Sequence, residues 1–227
     1  MAPHAGGFFQ SLSSLPLQMP ALSTLQLQIF RKHLEPFVSF SHDEWSIFCG
    51  CLQLKSLKKR SQFASEGKVC NDVGFILNGS FRFFVVKDGI EISNYFCFQN
   101  EFISSYRSFL KREPSLITID AMEDSLLICF SHASLHQLLN DDRMVLKMER
   151  FGRKIAEYLI CCYEERVVSF VTQTPEERYR LLLENGQSLL KRIPQRYIAN
   201  YLGITPVSLS RIRKRIFASA KQQKLAS

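Results

Sequence analysis

The spacing of hydrophobic positions changes period twice along the chain, and each change marks a new kind of element. Up to about residue 54 the period is helical. Leu25, Ile29 and Phe30 share one face, and Ser41-x-x-Glu44 forms a capping box in front of Trp45, Ile47 and Phe48. Residues 54–130 instead carry short apolar or alternating runs: GFIL, SFRFFVV, IEISNYF, LITIDA and SLLICFS. These read as strands, and Asn78-Gly79 and Asp88-Gly89 predict two-residue hairpin turns between them. A short helix is predicted within 101–111. From Leu135 the period of three to four returns, with Met144, Met148, Phe151, Ile155, Tyr158, Leu159, Cys162 and Phe170 in register. Residues 141–172 hold no proline and one glycine, which predicts a helix of about 30 residues and ~45 Å. That length exceeds one small core, so part of its apolar stripe is expected to face another chain.

Thr174-Pro175-Glu176-Glu177 is a strong helix start. The helix it opens carries Tyr179, Leu182 and Leu183 inward and is expected to stop near Asn185-Gly186. Two shorter helices follow. Pro194 suits a first helical position, and Tyr197, Ile198, Tyr201 and Leu202 give one apolar face, which Gly203 ends. Thr205 is an N-cap, Pro206 a first position, and Leu209, Ile212 and Ile216 a second apolar stripe. Val207, Ser210, Arg211 and Lys214 lie opposite that stripe at i, i+3, i+4 and i+7. The pair reads as a helix-turn-helix with a basic, hydroxyl-rich outer face.

Charge sharpens that reading. The 227 residues carry a net +8, but residues 1–140 balance 12 Lys/Arg against 12 Asp/Glu. Residues 186–227 hold nine Lys/Arg and no acid. A solvated face usually mixes signs, whereas phosphate binding wants one. A hydrophobic content of 46% with 22% charged residues is that of a globular protein. No apolar run reaches the ~18 residues of a membrane span. The seven cysteines (Cys49, Cys51, Cys70, Cys97, Cys129, Cys161, Cys162) have no metal-binding spacing and are expected to be buried, inert thiols in a reducing cytoplasm. His132 and His136 have helical spacing but lack a third metal ligand in sequence. No nucleophile–base pair, paired carboxylates or Gly-rich phosphate loop stands out, so no enzyme is predicted. Residues 1–20, rich in Ser, Pro and small side chains, are expected to be a poorly ordered extension.

The run IPQRYIANYLGITPVSLSRIRK, the upstream EERYRLLLENG, and the order of roll, long helix, short helix and helix-turn-helix resemble the Crp/Fnr family of bacterial transcription regulators. The resemblance covers roughly residues 20–217. It implies an α+β fold: an antiparallel, jelly-roll-like β-roll of cyclic-nucleotide-binding type over 21–140, a dimerisation helix over 141–172, and an all-α helix-turn-helix domain over 173–227. It further implies a homodimer on pseudo-palindromic double-stranded DNA, read by a recognition helix over 206–217. RNA polymerase and a small-molecule effector are implied partners; no membrane and no metal are.

Within the recognition helix, Arg211 matches the family's base-reading arginine. Val207 stands where many members carry Glu and suits a thymine methyl; Ser208 and Ser210 suit bases or backbone. Thr205, Gln195, Arg196, Arg213, Lys214 and Arg215 read as phosphate clamps. The effector pocket is implied around Glu101, Phe102, Ser115 and Thr118, with Arg107 nearby. Aligning back from Ala121-Met122-Glu123-Asp124-Ser125 puts Ser115 where the family's phosphate-binding arginine stands. A hydroxyl supplies no positive charge, so cyclic AMP and cyclic GMP are predicted not to bind, and the effector is left open. Competing readings are a small-molecule sensor whose basic end binds polyanions without sequence preference, and a thiol or metal sensor.

Overall fold

The computed structural model describes residues 22–226; the extension expected over 1–20 lies outside them. Two helices open the chain, α1 (Thr24–Leu34) and α2 (His42–Cys49). Both start on capping boxes, Ser23 with Gln26 and the expected Ser41 with Glu44. Eight strands follow: β1 (Gln53–Leu57), β2 (Gln62–Ala64), β3 (Asp72–Asn78), β4 (Phe81–Lys87), β5 (Ile90–Cys97), β6 (Phe102–Ile103), β7 (Thr118–Ala121) and β8 (Ser125–Ser131). A short α3 (Tyr106–Lys111) separates β6 from β7, and α4 (His132–Leu139) follows β8. The strands form two antiparallel four-stranded sheets, ordered β1-β8-β3-β6 and β2-β7-β4-β5.

Sequence alternation explains how the sheets stack. Phe81, Phe83, Ile119, Ala121, Leu127 and Cys129 meet between the sheets. The intervening Ile128 and Phe130 of β8 face the other way, into a second core with Phe30, Phe48, Phe75, Met148 and Phe151. β8 is thus covered on both faces, which accounts for its unbroken apolar run.

Only one of the two expected hairpins forms. Asp88-Gly89 joins β4 to β5 with both residues at positive φ (53° and 74°) and Lys87 opposite Ile90, as a two-residue turn requires. Asn78-Gly79 does not make a hairpin: β3 pairs with β8 and β6, and β4 pairs with β5 and β7. The turn carries the chain from one sheet to the other. Gly79 has φ 119°, and a Cβ there would stand 2.1 Å from the Ser125 Oγ, so close approach of the β8 start selects glycine at this corner.

The helical half begins with α5 (Val145–Thr172), 28 residues or about 42 Å at 1.5 Å per residue. Its first turns are buried on the roll through Met148 and Phe151. Helix α6 (Pro175–Leu190) starts on the expected Thr174–Glu177 capping box, with Thr174 N–H to Glu177 Oε2 at 2.7 Å. As expected, its regular helix ends at Gly186, where the backbone leaves helical geometry (φ −162°, ψ 39°); a second helical piece then runs to Leu190. Then come α7 (Gln195–Tyr201) and α8 (Pro206–Ala226). The last helix runs beyond the expected limit at 217, since nothing between Phe217 and Ala226 interrupts it with Gly or Pro.

Among the described residues, no helix is long and apolar enough to cross a membrane, no group of His, Cys, Asp and Glu is placed to hold a metal, and all seven cysteines are free thiols. Cys70, Cys97 and Cys129 are buried, as expected; Cys161 is exposed on α5. Burial pushes the Cys97 and Cys129 thiols up, the latter to about 12.

Candidate nucleic-acid interface

Between α7 and α8 the turn closes as the residues predict. Gly203 sits at φ 73°. Its N–H donates to the Asn200 carbonyl (2.9 Å), and the Ile204 N–H reaches back to Ala199 O (3.0 Å). This double closure is a Schellman motif, which needs a left-handed residue at that point. Thr205 caps α8 by accepting the Ser208 N–H at 3.1 Å. Pro194 stands one place ahead of its expected position, as the residue before α7. Beneath the turn, Tyr179, Ile193, Ile198, Ala199, Leu202, Leu209 and Ile212 form one buried core.

The opposite face of α8 is open. Val207 is 61% exposed, and Thr205, Ser210, Arg211 and Lys214 are exposed beside it, with Ser208 half-buried. Neither Arg211 nor Lys214 takes an acidic partner among the described residues. The other expected phosphate clamps divide. Gln195 and Arg196 are exposed, and Arg196 donates to the Tyr197 hydroxyl at 3.0 Å. Arg213 is half-buried near the Phe217 ring (5.9 Å). Arg215 is tied to Glu176 at the start of α6 at 2.6 Å, which positions α8 rather than leaving that cation for a phosphate.

The helix-turn-helix is held in place by arginines whose roles the residue pattern did not reveal. Arg166 of α5 donates to the Tyr201 carbonyl (3.3 Å), and Arg178 of α6 to the Leu202 carbonyl (3.0 Å). Both satisfy carbonyls at the C-terminal end of α7, where positive charge is favoured. Arg192 spans to the roll, donating to Gln99 Oε1 (2.7 Å), the Gly79 carbonyl (3.1 Å) and the Glu123 carboxylate. Arg82 of β4 is the most unexpected. It is only 2% exposed, paired in a fork with Asp120 (3.2 and 3.0 Å) and with Glu91 (2.8 Å). Its guanidinium lies between the Phe84 ring of the same strand (4.0 Å) and the Tyr197 ring of α7 (3.9 Å). Asn200 adds a bond to the Glu91 carbonyl at 2.6 Å. Helix α7 therefore packs on the β4–β5 hairpin, and the outer face of α8 stays exposed.

A cavity of about 790 Å³ lies between the roll and α5. Phe83, Ile103 and Ile117 line it from the roll, and Ile155 and Leu159 from the helix. Of the residues implied for an effector, Glu101 and Phe102 line this cavity; Ser115, Thr118 and Arg107 do not. Ser115 is buried and its hydroxyl is used internally, with Ser105 Oγ at 2.8 Å and the Ile117 carbonyl at 2.7 Å. Thr118 accepts the Glu66 N–H (3.1 Å), and Arg107, on the surface, pairs with Glu113 at 2.6 Å. Glu101 accepts the Phe98 N–H at 2.6 Å. Burial raises its carboxyl pKa, and that hydrogen bond opposes the rise only in part.

No protein-family model and no curated protein matches the chain by sequence. Solved structures do match it by fold. FixK2 from Bradyrhizobium japonicum superposes with a TM-score of 0.62 at 19% identity, over 74% of this chain and 86% of that one. CLP, the c-di-GMP responsive global regulator of Xanthomonas campestris, gives 0.62 at 13% identity over 77% and 91%. A putative cyclic nucleotide binding protein from Ruegeria pomeroyi gives 0.57 at 16% identity over 86% and 89%. The chain thus shares the fold of these structures: a roll of two antiparallel sheets, a long helix and a helix-turn-helix.

Proposed function

We propose that the chain is a sequence-specific DNA-binding transcription regulator of the Crp/Fnr family. It works as a homodimer that reads a pseudo-palindromic site with the N-terminal half of α8. The observation that carries this reading is the outer face of α8. Val207, Ser210, Arg211 and Lys214 stand exposed on the second helix of a tightly closed helix-turn-helix, in a segment without a single acid. Arg211 reads a base edge, Val207 packs on a neighbouring base, and Lys214 binds phosphate. Roll, long helix and reading domain divide the work over 21–140, 141–172 and 173–227.

Dimerisation rests on α5. Beyond Phe151, Ile155 and Leu159 are half-buried toward the roll, while Ile160, Tyr163, Val167 and Val171 are each more than 50% exposed. Their spacing of three and four places them along one seam, as a two-helix coiled coil requires. Two α5 helices side by side would set two copies of α8 for half-sites one DNA turn, about 34 Å, apart. The input is not a cyclic nucleotide. A cyclic phosphate needs a buried cation, and the position the family reserves for it is Ser115, closed on Ser105 and Ile117.

Selection of bound sites from a random DNA pool tests the reading. Wild type is expected to enrich a two-fold symmetric motif. Arg211→Ala is expected to lose the preferred base at one position per half-site, a change of about 1–3 kcal/mol. Enrichment of no motif, or the same motif from the variant, refutes it.

A further inference from the structure

A reading helix can be aimed only as well as the helix it is closed onto. The Gly203–Thr205 turn fixes α8 to α7, so the pose of α7 sets the pose of α8. Between α5 and α7 the chain has two places to bend. Gln173 is extended between α5 and α6 (φ −107°, ψ 144°), and helical geometry breaks at Gly186. A domain hung on such joints keeps one orientation only where tertiary contacts fix it.

Those contacts come from two sides. Arg166 and Arg178 hold the C-terminal end of α7 to α5 and α6. The β4–β5 hairpin holds its flank. The Tyr197 ring lies on the Arg82 guanidinium at 3.9 Å, the Tyr201 ring centroid is 5.6 Å from that of Phe96, and Asn200 donates to the Glu91 carbonyl. None of these contacts draws on Val207, Ser210, Arg211 or Lys214. The groups that hold the domain are thus separate from the groups that would read DNA.

Arg82 is the fixed member of the flank contact. Its edge is occupied by Asp120, its cross-strand partner in β7, and by Glu91 of β5. Phe84 covers one face of the guanidinium at 4.0 Å, which leaves the other face for Tyr197. A plate held at its edge and backed by a ring resists tilting, and a second ring stacked on it is confined in angle as well as in distance. Lysine would keep the charge between the two carboxylates but has no flat face to offer.

We propose that Arg82 is a positioning residue for DNA recognition: acting through Tyr197, it fixes the angle of α8 and so the half-site spacing that the dimer accepts. This rests on reading α8 as the recognition helix of a homodimer, and it assigns what aims that helix. One base pair more or less between half-sites shifts a half-site by ~3.4 Å and turns it by about 34° around the DNA axis. A domain held at α7 cannot follow such a turn, whereas a loosened one can.

The site enriched by full-length wild type is rebuilt as four duplexes: the original half-site spacing, one base pair added, one removed, and a single half-site. Binding is followed by fluorescence anisotropy. Wild type should prefer the original spacing over either neighbour by about tenfold. Arg82→Lys should reduce that preference to about twofold, with its affinity for the single half-site at the wild-type value, because α8 is untouched. Tyr197→Leu should flatten the preference too, and Tyr197→Phe, which keeps the ring, should retain it. A role confined to stability would lower the melting temperature of Arg82→Lys and leave its spacing preference in place. An undiminished spacing preference in Arg82→Lys therefore overturns the proposal. So does a uniform loss on all four duplexes by both Arg82→Lys and Tyr197→Leu, no preference among spacings in wild type, or a flattened preference in Tyr197→Phe. Enrichment of no site by wild type refutes the reading of α8 and this inference with it; an enriched site with an unmoved spacing preference refutes the inference alone.

Discussion

Arg82 offers a direct test of how the reading domain is fixed to the roll. Replacing it with Met keeps the apolar stem and removes the guanidinium. Three interactions go. The fork to Asp120, whose side chain is 19% exposed, is a charge-assisted bond worth ~1.5–3 kcal/mol. The pair with Glu91, half in solvent, is worth about 0.5 kcal/mol after screening. The stacks on Phe84 and Tyr197 contribute ~1 kcal/mol each. Relief of the arginine's own desolvation offsets part of the sum, leaving a net loss of about 2–4 kcal/mol. Only the Tyr197 contact crosses to α7, so it is isolated by a double-mutant cycle of Arg82→Met and Tyr197→Leu. Hydrogen exchange of the α7 amides reads local opening directly. Each single variant should speed exchange of the Ile198 and Ala199 amides about tenfold, and the pair should fall short of additivity by ~1 kcal/mol. Additivity within about 0.3 kcal/mol, or unchanged α7 protection in Arg82→Met, would refute the claim that this arginine joins the two halves.

Lys214→Ala should weaken binding to all DNA sequences alike and reduce the slope of log affinity against log salt by about one, measured by fluorescence anisotropy. Val167→Glu places a charge in the proposed seam of α5 and should give a monomer by sedimentation velocity; a dimer retained at micromolar protein refutes that seam. The Glu123 carboxyl is pushed up by burial, but hydrogen bonds from Ser80 and Arg192 win and hold it below its ordinary 4.5. A depressed carboxyl stabilises the fold above its unfolded value and loses that contribution as pH falls through the lower folded one. Helix α7 should therefore lose hydrogen-exchange protection on acidification below pH 4.5. Glu123→Gln should remove that step; an identical acid profile in the variant refutes it.

Most elements of both halves were legible from local patterns, for identifiable reasons. Capping boxes at Ser41 and Thr174 are satisfied within four residues, so the chain need not fold elsewhere to define them. The Gly203–Thr205 turn is equally local, and the open face of α8 follows from helical geometry once Leu209 and Ile212 face inward. Asn78-Gly79 misled because the dipeptide reports a tight reversal, not which strand lies beside the next. That partner is β8, about fifty residues further on. The stop near Asn185-Gly186 was legible for the opposite reason: the glycine itself leaves helical geometry, and the short helical piece after it carries Leu190 to the α7 core.

Within FRFFVVK, alternation puts Arg82 on the outer face of its strand, and a charged residue there reads as solvated. The sequence by itself determined that orientation, as it determined the strand, the reading helix and the acid-free charge around it. Whether the outer face meets water is a property of what docks on it. Here α7 docks, so Arg82 is buried between two rings and two carboxylates. The same holds for the cavity. Glu101 is one polar residue among aromatics until the fold half-buries it on the side of the roll that faces α5. Local periodicity is set by bonds between near neighbours, whereas burial is set by contacts between segments tens to more than a hundred residues apart, and only the folded chain decides those.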